Sequence, residues 1–124
     1  MQDSDTKYSK NHTWVRVAGD YVFIGVTEKF MESIDDIVDI TLPDIGEEIV
    51  ADEPFAAIDD GREIIDVVSP ISGEIVKVNK KVKKDPAILN EDPLGDGWLI
   101  KVDPYDWDEI ENLLDEDDYE REIE

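Results

Sequence analysis

Cysteine is absent from the 124 residues of this chain. Its absence excludes disulfide bonds, thiolate zinc sites and cysteine nucleophiles, and it fits a reducing compartment, so the cytoplasm is the predicted location. Long apolar runs are also missing, since none approaches the roughly 20 residues of a membrane-spanning helix. Met1–Asp5 lack the basic start and apolar stretch of a signal peptide.

Basic residues are scarce. Twelve Lys and Arg stand against 34 Asp and Glu, which gives a formal net charge of −22. Such a charge repels phosphate backbones and anionic membrane surfaces, so neither nucleic acid nor a membrane is an expected partner. It steers association towards basic surfaces and predicts protein partners.

Sequence motifs for catalysis and metal binding are missing too. No glycine-rich phosphate loop occurs, because Gly95–Gly97 precede an expected strand whereas phosphate loops open helices. A nucleotide-dependent enzyme is therefore not expected. No loop with the regular acidic spacing of a calcium site occurs, so no metal site is predicted. We interpret the clustered acidic residues as solvated faces: Asp35-Asp36, Asp59-Asp60 and Asp115–Asp118. A hydrolase that uses Asp or Glu is the weakest alternative.

The single histidine, His12, has no partner in sequence that would complete a catalytic triad or a three-ligand metal site. We interpret it as a packed or hydrogen-bonded structural residue. No catalytic residue is proposed from the sequence.

Short apolar or alternating segments separated by turn residues predict an antiparallel β sandwich or barrel. Trp14 and Trp98 are predicted to lie in its core. The expected strands are Thr13–Val17, Tyr21–Val26, Ile37–Leu42, Phe55–Ile58, Ile64–Val68, Glu74–Val78 and Trp98–Val102.

Two helices are predicted beside the strands, in a single domain over residues 1–124. A short crossover helix of about two turns follows Thr27 as its N-cap. A C-terminal helix follows Asp103 as N-cap with Pro104 in its first position, and this acidic helix and its tail together occupy about residues 103–124. Its apolar stripe is expected to pack on the sheet.

Two segments repeat a pattern of Pro, then Gly, then Glu and a β-branched pair: Pro43–Val50 and Pro70–Val76. They flank a hairpin, as two duplicated halves of a barrel would. Asp60-Gly61 predicts a two-residue turn at the tip of that hairpin and places Arg62 immediately after it, exposed.

Five of the nine lysines fall within residues 77–84: Lys77, Lys80, Lys81, Lys83 and Lys84. On an acidic chain this cluster is either a docking patch for an acidic partner or an ordinary solvated loop.

Several longer stretches are similar to one known family, the glycine cleavage system H proteins. The similarity extends from about Lys7 to Tyr119. The stretches are Lys7–Val17 (KYSKNHTWVRV), Val22–Thr27 (VFIGVT), Asp36–Val38 leading to Leu42–Gly46, Ser69–Asn79 (SPISGEIVKVN) and Leu89–Val102 (LNEDPLGDGWLIKV).

The resemblance implies a mostly β fold, the flattened barrel or barrel-sandwich hybrid of lipoyl and biotinyl carrier domains, with flanking helices. It implies a carrier rather than an enzyme. In the family, a lipoyl group on a hairpin lysine carries an aminomethyl group and reducing equivalents between the P, T and L proteins of glycine cleavage.

This sequence departs from the family at that lysine. Without a gap, the family motif Glu-Ser-Val-Lys-Ala falls on Asp59, Asp60, Gly61, Arg62 and Glu63, so that Arg62 has the place of the lysine. A guanidinium with a pKa above about 12 stays charged and is not acylated as a neutral amine is. No lysine lies between Glu53 and Val76, so a small shift of the alignment supplies none. No covalent lipoyl cofactor is expected.

Two interpretations of function remain open. In the first, the chain is a non-lipoylated binding module that contacts lipoyl-handling or glycine-cleavage-type enzymes through residues 59–63, with Arg62 facing a carboxylate or having no role. In the second, it is a true glycine cleavage carrier that is modified at another lysine, either Lys29 or one in the 77–84 cluster.

Overall fold

The computed structural model describes residues 6–32, 34 and 36–122. Within these residues the strands are β1 (Thr6–Tyr8), β2 (Thr13–Ala18), β3 (Tyr21–Val26), β4 (Asp39–Thr41), β5 (Glu48–Ile49), β6 (Pro54–Asp59), β7 (Ile64–Val68), β8 (Gly73–Val78) and β9 (Ile100–Pro104). The helices are α1 (Glu28–Met31), α2 (Lys80–Lys84), α3 (Ile88–Glu91), α4 (Trp107–Glu111) and α5 (Glu116–Glu122).

The described strands form two antiparallel sheets, which agrees with the predicted mostly β architecture. The larger has the order β1-β2-β3-β9-β8-β5, and the smaller has the order β4-β6-β7. Over residues 6–32, 34 and 36–122 these are two open sheets and not one closed barrel. The last strand of the chain, β9, lies in the middle of the larger sheet, between β3 and β8.

Branched aliphatic side chains from both sheets fill the core, because alternate positions of each strand face inward. Ile24, Ile40, Ile58, Ile75 and Ile100 are fully buried members of this main cluster. A smaller cluster contains Tyr8, Trp14 and Tyr119.

The two tryptophans predicted to be core residues differ. Trp14 is fully buried, and its indole Nε1 donates a hydrogen bond to the Pro93 carbonyl oxygen at 3.0 Å. Gly25 lies opposite Trp14 in the neighbouring strand, where a Cβ atom would be 2.7 Å from the indole ring. Trp98 is only half-buried, so its assignment to the core was wrong. It packs on the edge of Phe23, with ring centroids 5.0 Å apart.

The helices differ most from the sequence prediction. Thr27 does cap α1, accepting the Phe30 backbone N–H at 3.3 Å, but the helix has one turn and not two. Asp103 and Pro104 belong to the end of β9, and the N-cap of α4 is Asp106, whose side chain accepts the Asp108 N–H. The predicted C-terminal helix is therefore two short helices, α4 and α5.

The two repeated segments pair with each other. Glu48 lies opposite Glu74 in the β5–β8 ladder, and Ile75 exchanges backbone hydrogen bonds with Gly46 and Glu47 at 2.8 and 2.9 Å. This antiparallel pairing is what a local twofold relation between the segments requires.

The described part of the C-terminal segment, from Leu114 into α5, packs against β1. Tyr8 and Leu114 exchange backbone hydrogen bonds at 2.7 and 2.8 Å. The Tyr8 and Tyr119 rings are stacked with centroids 4.9 Å apart. The acidic C-terminal segment is thereby packed on β1 as far as Tyr119.

Candidate functional site

The hairpin between β6 and β7 ends in a four-residue loop, residues 60–63. Asp59 and Ile64 form the last pair of the ladder, and the Asp60 backbone N–H donates to the Glu63 carbonyl at 3.2 Å. The predicted two-residue Asp-Gly turn is therefore wrong. Such a turn needs positive φ at both residues, whereas only Gly61 has it here, at +90°.

The Asp60 side chain closes this loop from inside. Its Oδ1 accepts the backbone N–H groups of Arg62 and Glu63, each at 2.9 Å. These two hydrogen bonds lower the pKa of the Asp60 carboxyl, with Glu63 N–H as the larger cause. The bonded carboxylate holds the chain in a wider loop than an Asp-Gly turn forms.

Arg62 lies within the loop and not after it. Its side chain is exposed, and in the described part of the chain the guanidinium makes no hydrogen bond or salt bridge. A free guanidinium can form a bidentate hydrogen-bonded pair with a carboxylate. Unlike a lysine, this guanidinium does not supply the nucleophilic neutral amine that amide formation requires.

Two exposed apolar side chains lie beside the loop. Val38 donates its backbone N–H to the Asp59 carbonyl at 2.7 Å, and its Cγ2 would be 3.2 Å from a Cβ at Gly61. Val38 and Ile64 are 65% and 68% exposed. The tip thus presents one cation between apolar and acidic side chains.

The alternative lysines lie outside the hairpin: Lys77 is in β8, and the others are on α1 and α2. Lys83, on α2, donates to Asp39 Oδ1 at 3.0 Å and to the Ile40 carbonyl at 2.6 Å, and this contact lowers the pKa of Asp39. Lys29, on α1, forms a 3.4 Å salt bridge with Glu32. Neither amine projects from a strand-turn-strand tip.

His12 is hydrogen-bonded, as predicted. Its Nδ1 is 2.7 Å from the Tyr119 hydroxyl, which is also 2.7 Å from Thr27 Oγ1. Thr27 Oγ1 also accepts the Phe30 backbone N–H at 3.3 Å, and the distances fit donation in either direction along the three side chains. Desolvation, followed by the Lys29 charge, lowers the pKa of His12 against an opposing effect of Glu32.

We expect His12 to make stability depend on pH. Since its folded pKa is below the ordinary 6.5, its contribution is complete above that value and is lost as pH falls through 6.5 towards the folded pKa. His12→Asn removes the titration, while asparagine tolerates the φ of 66° at this position. Between about pH 7.5 and 5.5, the urea midpoint of the natural protein should decrease relative to that of the variant. Parallel midpoints would contradict the assignment.

The acidic side chains form no metal site in the described residues. Within residues 6–32, 34 and 36–122, no group of three His, Asp or Glu side chains is arranged to hold an ion. Asp115 instead accepts the Asp118 backbone N–H at 2.8 Å, and Asp118 pairs with Arg121. Asp35 lies outside the described residues.

Sequence reasoning missed the partner of His12 and the contribution of Thr27 to that contact. Tyr119 is 107 residues from His12 in the chain. An apolar pattern in the sequence does not show which side chains form hydrogen bonds, so it gave no sign of the contact between Tyr119 and His12. The break between α4 and α5 also made the position of Tyr119 hard to predict.

No helix in the described residues is long and apolar enough to cross a membrane.

Comparison with known proteins gives one consistent result. The family model described as "Glycine cleavage H-protein" matches residues 6–124. The chain is 42% identical over 116 residues to the glycine cleavage system H protein of Geobacillus sp. strain WCH70, covering 94% of this chain and 91% of the relative. It is 40% identical over 120 residues to the probable H protein of Haloarcula marismortui, covering 97% and 94%.

A solved structure is similar over nearly its whole length. The crystal structure of a glycine cleavage system H protein from Mycobacterium marinum superposes with a TM-score of 0.87 at 31% identity. The match covers 99% of this chain and 98% of that one.

Proposed function

Because this chain belongs to the glycine cleavage H-protein family, we propose that it is a non-lipoylated member that binds enzymes of that system without a covalent arm. Members of the family are carriers and not enzymes, they act with glycine cleavage enzymes, and they use covalently attached lipoate. We propose that this chain keeps the family's fold and has replaced the lipoyl lysine.

One correspondence supports the proposal: aligned without a gap, Arg62 falls at the place of the family's lipoyl lysine, and it lies on an exposed four-residue loop. Lipoylation joins a carboxyl group to a nucleophilic amine, and a delocalised guanidinium does not supply one. Lipoyl therefore does not fit the residues present, and no step that uses it is assigned to this chain.

The rest of the loop supports the same conclusion. All five positions from Asp59 to Glu63 differ from the family motif Glu-Ser-Val-Lys-Ala. Gly61, in the place of valine, has a φ of +90°, which β-branched residues avoid. The strands on both sides of the loop nevertheless keep an antiparallel ladder, which has no register shift between the Ala56–Val67 and Asp59–Ile64 pairs. We propose that the loop's chemistry changed while its scaffold was retained.

In this proposal Arg62 is a direct contact to a partner carboxylate, with Asp59, Asp60, Gly61 and Glu63 forming the rest of the contact loop. The partners are lipoyl-handling or glycine-cleavage-type enzymes, in the cytoplasm. The whole chain is proposed to act as one domain.

Reversing the charge at Arg62 should weaken binding to a purified glycine cleavage L protein by about tenfold, or ~1.4 kcal/mol. Arg62→Glu places a carboxylate against a carboxylate, while its exposure leaves the free energy of unfolding within about 0.5 kcal/mol. Arg121→Glu, the same change on α5, is the matched control and should bind normally. Equal affinity of Arg62→Glu and the natural protein, measured by biolayer interferometry, would remove Arg62 from the interface.

A second candidate remains, in which the protein is a working carrier modified at another lysine. The identity of about 40% to H proteins over nearly the full chain favours it. Lys83 is hydrogen-bonded to Asp39 and Ile40, which leaves Lys29, Lys77 and the other α2 lysines as acceptors. The mass measurement described in the Discussion separates the two candidates.

A further inference from the structure

A groove lies beside three members of the lysine cluster, where β8 passes into α2 near the residues that precede β9. We call it the basic groove. It has a volume of about 560 Å³ and is lined by Ile45, Lys77, Val78, Asn79, Lys80, Lys81, Asp96 and Trp98.

The cations of the basic groove have no ion-pair partner. In the described residues, Lys77, Lys80 and Lys81 form no salt bridge, whereas Lys83 of the same helix and Lys29 do. Of the groove's lining residues only Asp96 is acidic. On a chain with 34 acids, three exposed lysines facing one carboxylate form a local positive site.

The wall of the groove is fixed by one buried side chain. The Asn79 amide donates to the carbonyl oxygens of Asp96 and Trp98 at 2.8 and 2.7 Å, and its oxygen accepts the Lys81 N–H at 3.1 Å. These bonds join the start of α2 to the residues before β9. A preformed groove loses less entropy when a ligand binds.

The groove also offers apolar contact area. Trp98 is half-buried and contacts the Phe23 ring in an edge-to-face arrangement, and part of the indole remains exposed to solvent. Ile45, on the opposite side, is 62% exposed. Aromatic side chains in such settings contribute strongly to protein–protein binding.

We infer that the basic groove is a docking site for an acidic peptide segment of a partner protein, with an apolar side chain seated between Trp98 and Ile45. Charge complementarity selects the acidic segment, and the apolar contacts select a peptide over a bare anion. The net charge of −22 disfavours a nucleic acid, which would bring a long run of phosphates against the acidic remainder. The inference holds whether or not the hairpin carries a lipoyl group.

The test is a titration of the full-length protein, followed by ¹H–¹⁵N NMR, with a synthetic peptide of Asp and Glu around one central Leu. We expect saturable shifts of the Trp98 indole N–H and of the backbone amides of residues 77–81. The buried Trp14 indole serves as an internal reference. Lys80→Gln with Lys81→Gln should weaken peptide binding at least about tenfold.

The matched control is Lys10→Gln with Lys84→Gln, which changes the charge equally outside the groove and should bind as the natural protein does. Peptides with Gln for the acids, or Ser for Leu, should each bind more weakly. Absent or unsaturable shifts, or equal binding by the two double variants, would overturn the inference. Binding of a short oligonucleotide or of inorganic phosphate more tightly than the peptide would also overturn it. The same would follow if raising the protein concentration without peptide produced identical shifts.

Discussion

The Arg62→Lys variant should gain one lipoyl group per chain when co-expressed with a lipoate–protein ligase and supplied with lipoate, while the natural sequence gains none. The substitution places an amine that can lose its proton at an exposed position on the existing loop. Because the Asp60 carboxylate holds the loop through backbone groups, the side chain at residue 62 can change without altering the loop. Intact mass spectrometry measures the gain.

Both outcomes for the natural sequence are informative. If only Arg62→Lys is modified, the hairpin is competent and the chain is a non-lipoylated member of its family. If the natural protein gains the mass, peptide mapping identifies the lysine, and the carrier candidate replaces the binding-module proposal. An unmodified Arg62→Lys variant that keeps the natural unfolding midpoint would show that the loop, and not only the arginine, departs from a lipoylation substrate.

Trp14→Ala should lower the free energy of unfolding by about 3 to 5 kcal/mol, a large part of the stability of a domain of this size. The substitution empties a fully buried site and leaves the Pro93 carbonyl without its indole donor. It also removes the surface that packs on Gly25 and under the Arg16 guanidinium, 4.6 Å from the ring. Urea denaturation followed by circular dichroism measures the change.

Trp107→Ala is the matched control for this experiment. Trp107 is 40% exposed at the start of α4, so its truncation should cost about 1 kcal/mol or less. Comparable losses at both positions would show that Trp14 is not a principal packing residue of the second cluster.

The strands could be predicted because the alternation of apolar residues is local. Tyr21–Val26 and Ile64–Val68 begin and end as expected, since each is bounded by turn residues and has one buried face. The prediction failed where tertiary contacts decide. Asp103 and Pro104 have the residue types of a helix start, but pairing with Glu74 and Gly73 holds them in a strand. Trp98 resembles a core residue and lies at a groove.

The position of the candidate loop could be predicted from the ungapped correspondence with the family motif. The conformation of the loop could not be predicted in this way. An ungapped correspondence with the family motif is enough to put Arg62 at the tip. The side chain of Asp60, which binds two backbone N–H groups, decides that the tip is a four-residue loop. The groove depends on Asn79 reaching residues 17 and 19 positions away, which no local pattern contains.

The central position of β9 constrains the order in which the fold can be completed during synthesis. Among the described residues, the β1-β2-β3 and β8-β5 parts of the larger sheet meet only through β9, which ends at Pro104. Until that strand leaves the ribosome, the inner edges of β3 and β8 have no neighbour, and Tyr8 waits longer still for Leu114 and Tyr119. The nascent chain therefore exposes unpaired strand edges, and its high negative charge is well suited to keep such chains apart until the last residues arrive.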